Sequence, residues 1–280
     1  MSRYASAPAG MLDVHAAPGL REALRNTWRL RHFSWSYAQS RIIAARSENR
    51  LGLLWEFISP MLLAGVYYLA FGVVLGTRRD NVNFEVFLLI GVFTWQLMNS
   101  CLMGTSECLV RSAKLVKSVH FTRLALPVSV MMRELLSYIP MLAVVVTVAL
   151  VTGEPVRPQW LLIIATMAVT TLFGTGVGLL LAHPSRTSRD ISQLLPVSMR
   201  AWMFMSGVFY DPAVRFAKVH GWPGLLLEYN PGALILETAR SAFLPSIEVD
   251  VTKWLIISGL AAATAVIGVL VFVRRDGKRD

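Results

Sequence analysis

Apolar residues in this chain come in long unbroken runs, not in the alternations of strands or the stripes of soluble amphipathic helices. Charge-free windows cover Phe57–Thr77, Val86–Ser106, Leu135–Gly153, Trp160–Ala182 and Trp254–Val273, and a sixth, Ile191–Tyr210, is interrupted only by Arg200. A bilayer core about 30 Å thick needs roughly 20 apolar helical residues. One such run could be a buried core helix. Six of them within 280 residues predict an all-α integral membrane protein, with transmembrane helices at about 55–77, 86–106, 134–153, 160–182, 191–210 and 254–273.

The segments between the runs carry their own patterns. Residues 1–19 are rich in Ala, Pro, Gly and Ser and are expected to form a disordered tail. Over 20–46, Leu20, Leu24 and Trp28 recur every fourth residue, Trp35 and Ile42 continue near that face, and Arg21, Arg25 and Arg29 run beside it. This predicts an amphipathic helix lying in the headgroup region, with a soluble helix packed on a partner as the alternative. Between the second and third runs, Arg111, Lys114, Lys117 and Arg123 surround Leu115, Val116, Val119 and Phe121. A basic amphipathic helix is expected there, with an apolar face in need of a partner. After the fifth run, Tyr210-Asp211-Pro212 and Tyr229-Asn230-Pro231 repeat one helix-start signal, a capping side chain followed by Pro at the first helical position. Two short helices should begin at Pro212 and Pro231. The second, Pro231–Phe243, is too short to span and is read as half of a re-entrant or interfacial hairpin, the alternative being an ordinary folded loop. Gly174 and Gly178 have the spacing that lets helices approach closely.

Composition narrows the class. At 55% hydrophobic and 16% charged, the chain is too apolar for a soluble domain. Its net charge of +10 would point to nucleic acid in a soluble protein; in a membrane protein it reports topology, and no nucleic-acid partner is expected. Counted on alternate sides of the spans, 19 Lys and Arg fall on the side of the termini, seven on the other, and Arg200 within a span. Both termini are therefore expected in the cytoplasm, in a bacterial inner membrane. The first 19 residues lack a continuous apolar stretch, so no cleavable signal peptide is expected. The basic 274–280 segment would form a cytoplasmic tail. Cys101 and Cys108, seven residues apart in or beside a span, are read as packing residues and not as a disulfide.

Catalytic signatures are sparse. The five histidines are scattered, no Asp-x-Asp pair occurs, and Glu248-Val249-Asp250 reads most simply as a solvated loop, so no catalytic or metal site is expected. No G-x-x-x-x-G-K-[ST] sequence is present, and the glycines of the fourth run are not followed by Lys-Ser/Thr. An energy source would have to come from another subunit.

Several stretches resemble the ABC-2 type membrane permeases of polysaccharide exporters. Arg50-Leu51-Gly52-Leu53-Leu54-Trp55 followed by Ser59-Pro60 is similar to the start of that family's first span. Leu115-Val116-Lys117 through Phe121, Arg123 and Leu126-Pro127 resembles its first cytoplasmic loop. Arg189-Asp190-Ile191 with Ser206-Gly207-Val208-Phe209-Tyr210 resembles its fifth span, and Tyr229-Asn230-Pro231 with Glu237 and Arg240 its extracytoplasmic hairpin. The likeness runs from about Phe33 to Phe272, making 47–273 the expected transmembrane domain. Thr122 and Gly207 stand where the family more often has Pro.

The resemblance implies a homodimer above two copies of a separate cytoplasmic ATPase. ATP and Mg would be bound by that partner and no cofactor by this chain, and the substrate would be a polyprenyl-pyrophosphate-linked glycan. Glu107, Arg111, Lys114, Leu115, Val116, Lys117, Phe121 and Arg123 become candidates for ATPase coupling. Tyr67, Tyr68, Phe71, Trp202, Phe204, Phe209 and Tyr210 become candidates for a sugar-stacking channel, against the plainer reading of an interfacial aromatic belt. Arg200 would face that channel or snorkel to the cytoplasmic headgroups. Pro212, Asn230, Pro231, Glu237 and Arg240 are candidate gate residues. The alternatives are a drug or small-lipid efflux permease of the wider superfamily and a polyprenyl-lipid-dependent membrane transferase.

Overall fold

The computed structural model describes residues 20–47, 54–74, 83–112, 123–210, 224 and 227–276. Among them it is helical, with no strand. The helices are α1 (Leu20–Arg29), α2 (Arg31–Ser47), α3 (Leu54–Tyr67), α4 (Phe84–Ser106), the single turn α5 (Cys108–Arg111), α6 (Ala125–Val151), α7 (Leu162–Thr187), α8 (Arg189–Met205), α9 (Pro231–Phe243) and α10 (Val251–Asp276). A π-helical stretch, Tyr68–Val74, continues α3, and a 3₁₀ turn, Pro158–Leu161, leads into α7. Four helical segments among the described residues are long and apolar enough to cross a membrane: Phe84–Ser106, Ala125–Val151, Pro158–Thr187 and Val251–Arg275. α3 and α8, at 14 and 17 residues, are shorter.

Burial separates the long helices by role. The most apolar window of α4 is 78% buried, against 22% for those of α6 and α10. α4 is therefore the central helix, while α6 and α10 present apolar faces outward. Around α4 the core gathers Phe93, Trp95, Met98 and Leu102 with Tyr138 and Val145 of α6, Phe173 of α7, and Leu234, Ile235 and Phe243 of α9.

Backbone contact drives the α4–α7–α10 packing. A Cβ at Gly174 would lie 2.8 Å from the Met98 carbonyl oxygen and one at Gly178 2.7 Å from that of Leu102, so these two glycines seat α7 directly on α4. Gly176, on another face, does the same toward α10, where a Cβ would come within 2.6 Å of the Ala265 nitrogen. Without a hydrophobic drive between helices in lipid, such close approach is a main source of association. The sequence spacing marks only the Gly174–Gly178 pair.

The ends are pinned locally. The Asn83 side chain caps α4 by accepting from the Val86 N–H at 3.3 Å, and its Nδ2 donates to Thr152 Oγ1 at 2.7 Å, tying the start of α4 to the end of α6. Gly153, at φ +84°, ends α6, with Glu154 N–H reaching back to the Ala149 carbonyl at 2.9 Å. At the opposite end Ser34 of α2 donates to the Ala125 carbonyl at 3.3 Å, seating the amphipathic region on the start of α6. The stretch expected as one amphipathic helix is divided by a turn at Leu30 into α1 and α2.

Candidate functional site

The most heavily bonded region joins the end of α8 to α9. Asn230 caps α9, its Oδ1 accepting from the Gly232 N–H at 3.0 Å and from Trp202 Nε1 at 2.6 Å. Asn230 Nδ2 donates to Ser206 Oγ at 3.2 Å, and Ser206 Oγ donates to the Trp202 carbonyl at 2.8 Å. The Trp202 ring meets Trp95 edge-on at 5.6 Å and Phe173 at 6.2 Å. One asparagine thus fixes a helix start and an indole from the neighbouring span.

Arg240 locks the other side of α9. Only 2% exposed, it donates through Nη1 to the Gly207 carbonyl at 3.0 Å, through Nη2 to that of Val208 at 2.7 Å, and through Nε to that of Phe87 at 3.4 Å. Its guanidinium lies 3.5 Å from the Phe87 ring centroid. The turn it grips needs Gly207 at φ +75°, which proline, fixed near −65°, cannot adopt. That geometry accounts for glycine where the resemblance leads one to expect proline. Gly91 leaves the necessary space, since a Cβ there would meet Arg240 Nη2 at 2.6 Å. Glu237, one turn earlier on α9, pairs with Lys253 of α10 at 2.8 Å. Pro231 occupies the first turn of α9; Pro212 lies outside the described residues.

The other span-five candidates divide by exposure. Gln193, Val197, Arg200 and Phe204 follow a four-three-four spacing and form one exposed stripe of α8. Phe209 is buried and meets the Phe204 ring at 5.5 Å with the planes tilted by 42°, while half-buried Tyr210 donates its hydroxyl to the Phe204 carbonyl at 2.7 Å. In the first span Tyr67 ends α3, and Tyr68 and Phe71 fall in the π-helical stretch; Tyr68 is half-buried against the core. α3 packs on α6 and α4, and α8 on α7, α4 and α9, so both helices touch the central α4.

At the opposite end, Glu107 ends α4 and Arg111 ends α5. Glu107 Oε2 accepts from Arg111 Nε at 2.7 Å and from its Nη2 at 2.6 Å. Cys108 and Leu109 are buried with Leu124, Leu126, Phe272 and Leu179, which roots this segment in the bundle. Arg123 stands half-buried just before α6; Lys114, Leu115, Val116, Lys117 and Phe121 lie outside the described residues. One group here escaped the sequence reading. Glu134 of α6 is only 8% exposed, with Arg133 of its own helix at 3.5 Å, and it lies in the electrostatic field of Arg111 of α5 and Arg41 of α2. It borders the third charge-free run, so its position in sequence reads as a loop charge. A cavity of about 10 Å³ nearby, lined by Tyr37, Arg41, Ser129 and Arg133, has room for about one water and cannot hold a sugar.

The model of the ABC-2 type transporter family matches residues 34–244, three quarters of the chain and all of the α8–α9 junction. The chain belongs to the ABC-2 type transporter family. Among the ABC-2 proteins it is similar to the O-antigen export system permease protein RfbA of Klebsiella pneumoniae, 26% identical over 198 residues that cover 70% of this chain and 74% of that one. The namesake permease of Myxococcus xanthus is 23% identical over 222 residues, covering 79% of this chain and 83% of its own. The polysialic acid transport protein KpsM of Escherichia coli is 23% identical over 201 residues, 70% of this chain and 75% of the relative. For an ABC-2 membrane domain, the outward apolar faces of α6 and α10 are surfaces for lipid or neighbouring helices.

Proposed function

We propose that this chain is the membrane-spanning permease half of an ATP-driven exporter that carries a lipid-linked polysaccharide from the cytoplasmic to the outer face of the plasma membrane. The carrying observation is the family match together with relatives whose names are those of polysaccharide-export permeases. The chain contains no phosphate-binding loop, which supports ATP hydrolysis on two copies of a separate subunit. In this reading both termini are cytoplasmic, six spans cross the bilayer, and a second copy completes the conduit. The exposed stripe of α8, with Arg200 and Phe204, then faces the path. The Phe204 ring would stack on sugar C–H faces without fixing one hydrogen-bond pattern, and Arg200 would meet the pyrophosphate head.

The Glu107–Arg123 segment is the proposed coupling element. Glu107 and Arg111 root it in α4 and α5, and the field that Glu134 shares with arginines of α5, α6 and α2 would couple it to those helices. Force on this segment would therefore reach both the amphipathic helix and a span. At the other end, the Asn230 and Arg240 locks make α9 move with the α8 turn, as a gate element must. The test is co-reconstitution of the full chain with its ATPase in proteoliposomes. ATP-dependent transfer of a lipid-linked polysaccharide across the bilayer is expected; ATP-dependent dye efflux without polymer transfer would transfer the protein to the drug-efflux class.

A further inference from the structure

Among the described residues, the buried side-chain atoms without a hydrogen-bond partner include four hydroxyls within the helices and four N–H donors at one end of the bundle: Arg157 Nε and Nη2, Trp160 Nε1 and Trp254 Nε1. Arg157 sits immediately before the 3₁₀ turn, and Trp160 lies on that turn, its backbone N–H bonded to the Arg157 carbonyl at 3.0 Å. The Trp160 ring is fixed against Phe243 of α9 at 4.8 Å. Two acids at this end are engaged elsewhere: Glu237 holds Lys253, and Asp250 caps α10 by accepting from Thr252 and Lys253 N–H at 2.8 and 3.2 Å.

The two unpartnered nitrogens of Arg157 belong to one edge of its guanidinium. That edge presents two parallel N–H bonds, the fork that matches two oxygens of one phosphate. A buried donor without an acceptor is costly, and an unpaired edge of a cation more so. We infer that Arg157 and Trp160 form a binding site for a lipid phosphate at the rim where α7 begins. With the orientation of the proposed function, on which this rests, the rim belongs to the outer leaflet.

Trp254 favours one source of that phosphate. α7 and α10 run parallel, with Gly176 against Ala265 and His183 Nε2 at 3.2 Å from the Phe272 carbonyl oxygen. Extending that register places Trp254 roughly 8 Å deeper than Trp160 along the helix axis, at 1.5 Å per residue. In a diacyl phospholipid the ester carbonyls lie deeper than the phosphate and can accept from an indole there. A polyprenyl pyrophosphate has no such ester. A bilayer phospholipid is therefore the occupant, and the pyrophosphate of an exported carrier lipid is the other source of the same chemistry.

The test is native mass spectrometry of the purified full chain with phosphatidylglycerol, a phosphate-free diacyl glycolipid and a polyprenyl pyrophosphate. Wild type is expected to retain phosphatidylglycerol over the glycolipid, with Arg157→Gln lowering retention at least about tenfold, as loss of a charge-assisted fork requires. Trp160→Phe keeps the ring on Phe243 and removes only the donor; it should lower retention several-fold even if Arg157→Gln fails to fold. Trp254→Phe should weaken phosphatidylglycerol and leave the polyprenyl pyrophosphate unchanged. Arg157-dependent retention confined to the pyrophosphate would retain the site but overturn its assignment to bilayer lipid. Equal retention of all three lipids by wild type and Trp160→Phe would overturn the site itself. Binding of phosphatidylglycerol does not require glycan export, so failure of either idea is distinguishable from failure of the other.

Discussion

Arg240 shows how a charge within an apolar helix can act as a fastener. Three main-chain carbonyls that accept from it lie 33, 32 and 153 residues away in sequence. Truncation would leave buried carbonyls unsatisfied and an apolar pocket half empty. Arg240→Ala is expected to cost about 3–5 kcal/mol, read as a large drop in thermal unfolding temperature in detergent, and Arg240→Lys to recover only part of it because an ammonium cannot fork. An unchanged unfolding temperature for both variants would remove the clamp from the account. Arg200 is the contrasting case, exposed on α8 and bound to no such set. Arg200→Ala should leave the unfolding temperature within about 0.5 kcal/mol of wild type and sharply lower polymer export. Normal export would favour the snorkelling role. The sequence marks both arginines as unusual. It cannot tell them apart, because the acceptors of Arg240 are brought to it by the fold alone.

At the scale of the element, local chemistry was legible and distant pairing was not. The Asn230-Pro231 start and the bounds Pro231–Phe243 can be read from capping rules, and α9 has those bounds with the expected cap bond. Glu134 was missed because the positive field around its buried carboxylate comes from arginines of α2 and α5 as well as from its neighbour Arg133. No local pattern encodes that convergence. The second glycine face of α7 was missed for a related reason: two helices, α4 and α10, each require their own approach surface. Gly176→Leu is expected to force α7 and α10 apart and destabilise by about 1–3 kcal/mol or more. The same change at Gly65, where a Cβ meets nothing within 4 Å, should have little effect on thermal unfolding. Equal responses at the two sites would contradict the close-packing explanation.

For the whole molecule, the number of long apolar runs is plain in the sequence, but the direction each helix faces is not. Lipid tails are as apolar as a protein core, so periodicity does not separate the lipid side from the inside. Burial does so for four helices, placing α4 at the centre and leaving α6 and α10 at the margin. It also separates the aromatic residues. Trp202 is held by Asn230, Trp95 and Phe173, whereas Phe204 projects from the surface, 53% exposed. α3 and α8 both touch α4, so the second copy in the proposal follows from the family reading and not from this packing. The most direct measurement is made in cells depleted of this chain, by following polymer on the surface together with its lipid-linked precursor inside. Loss of surface polymer with accumulation of full-length lipid-linked polysaccharide at the cytoplasmic face, reversed by the wild-type gene, is the expected result. Undiminished surface polymer with no internal accumulation would contradict the assignment of this protein as a polysaccharide-export permease.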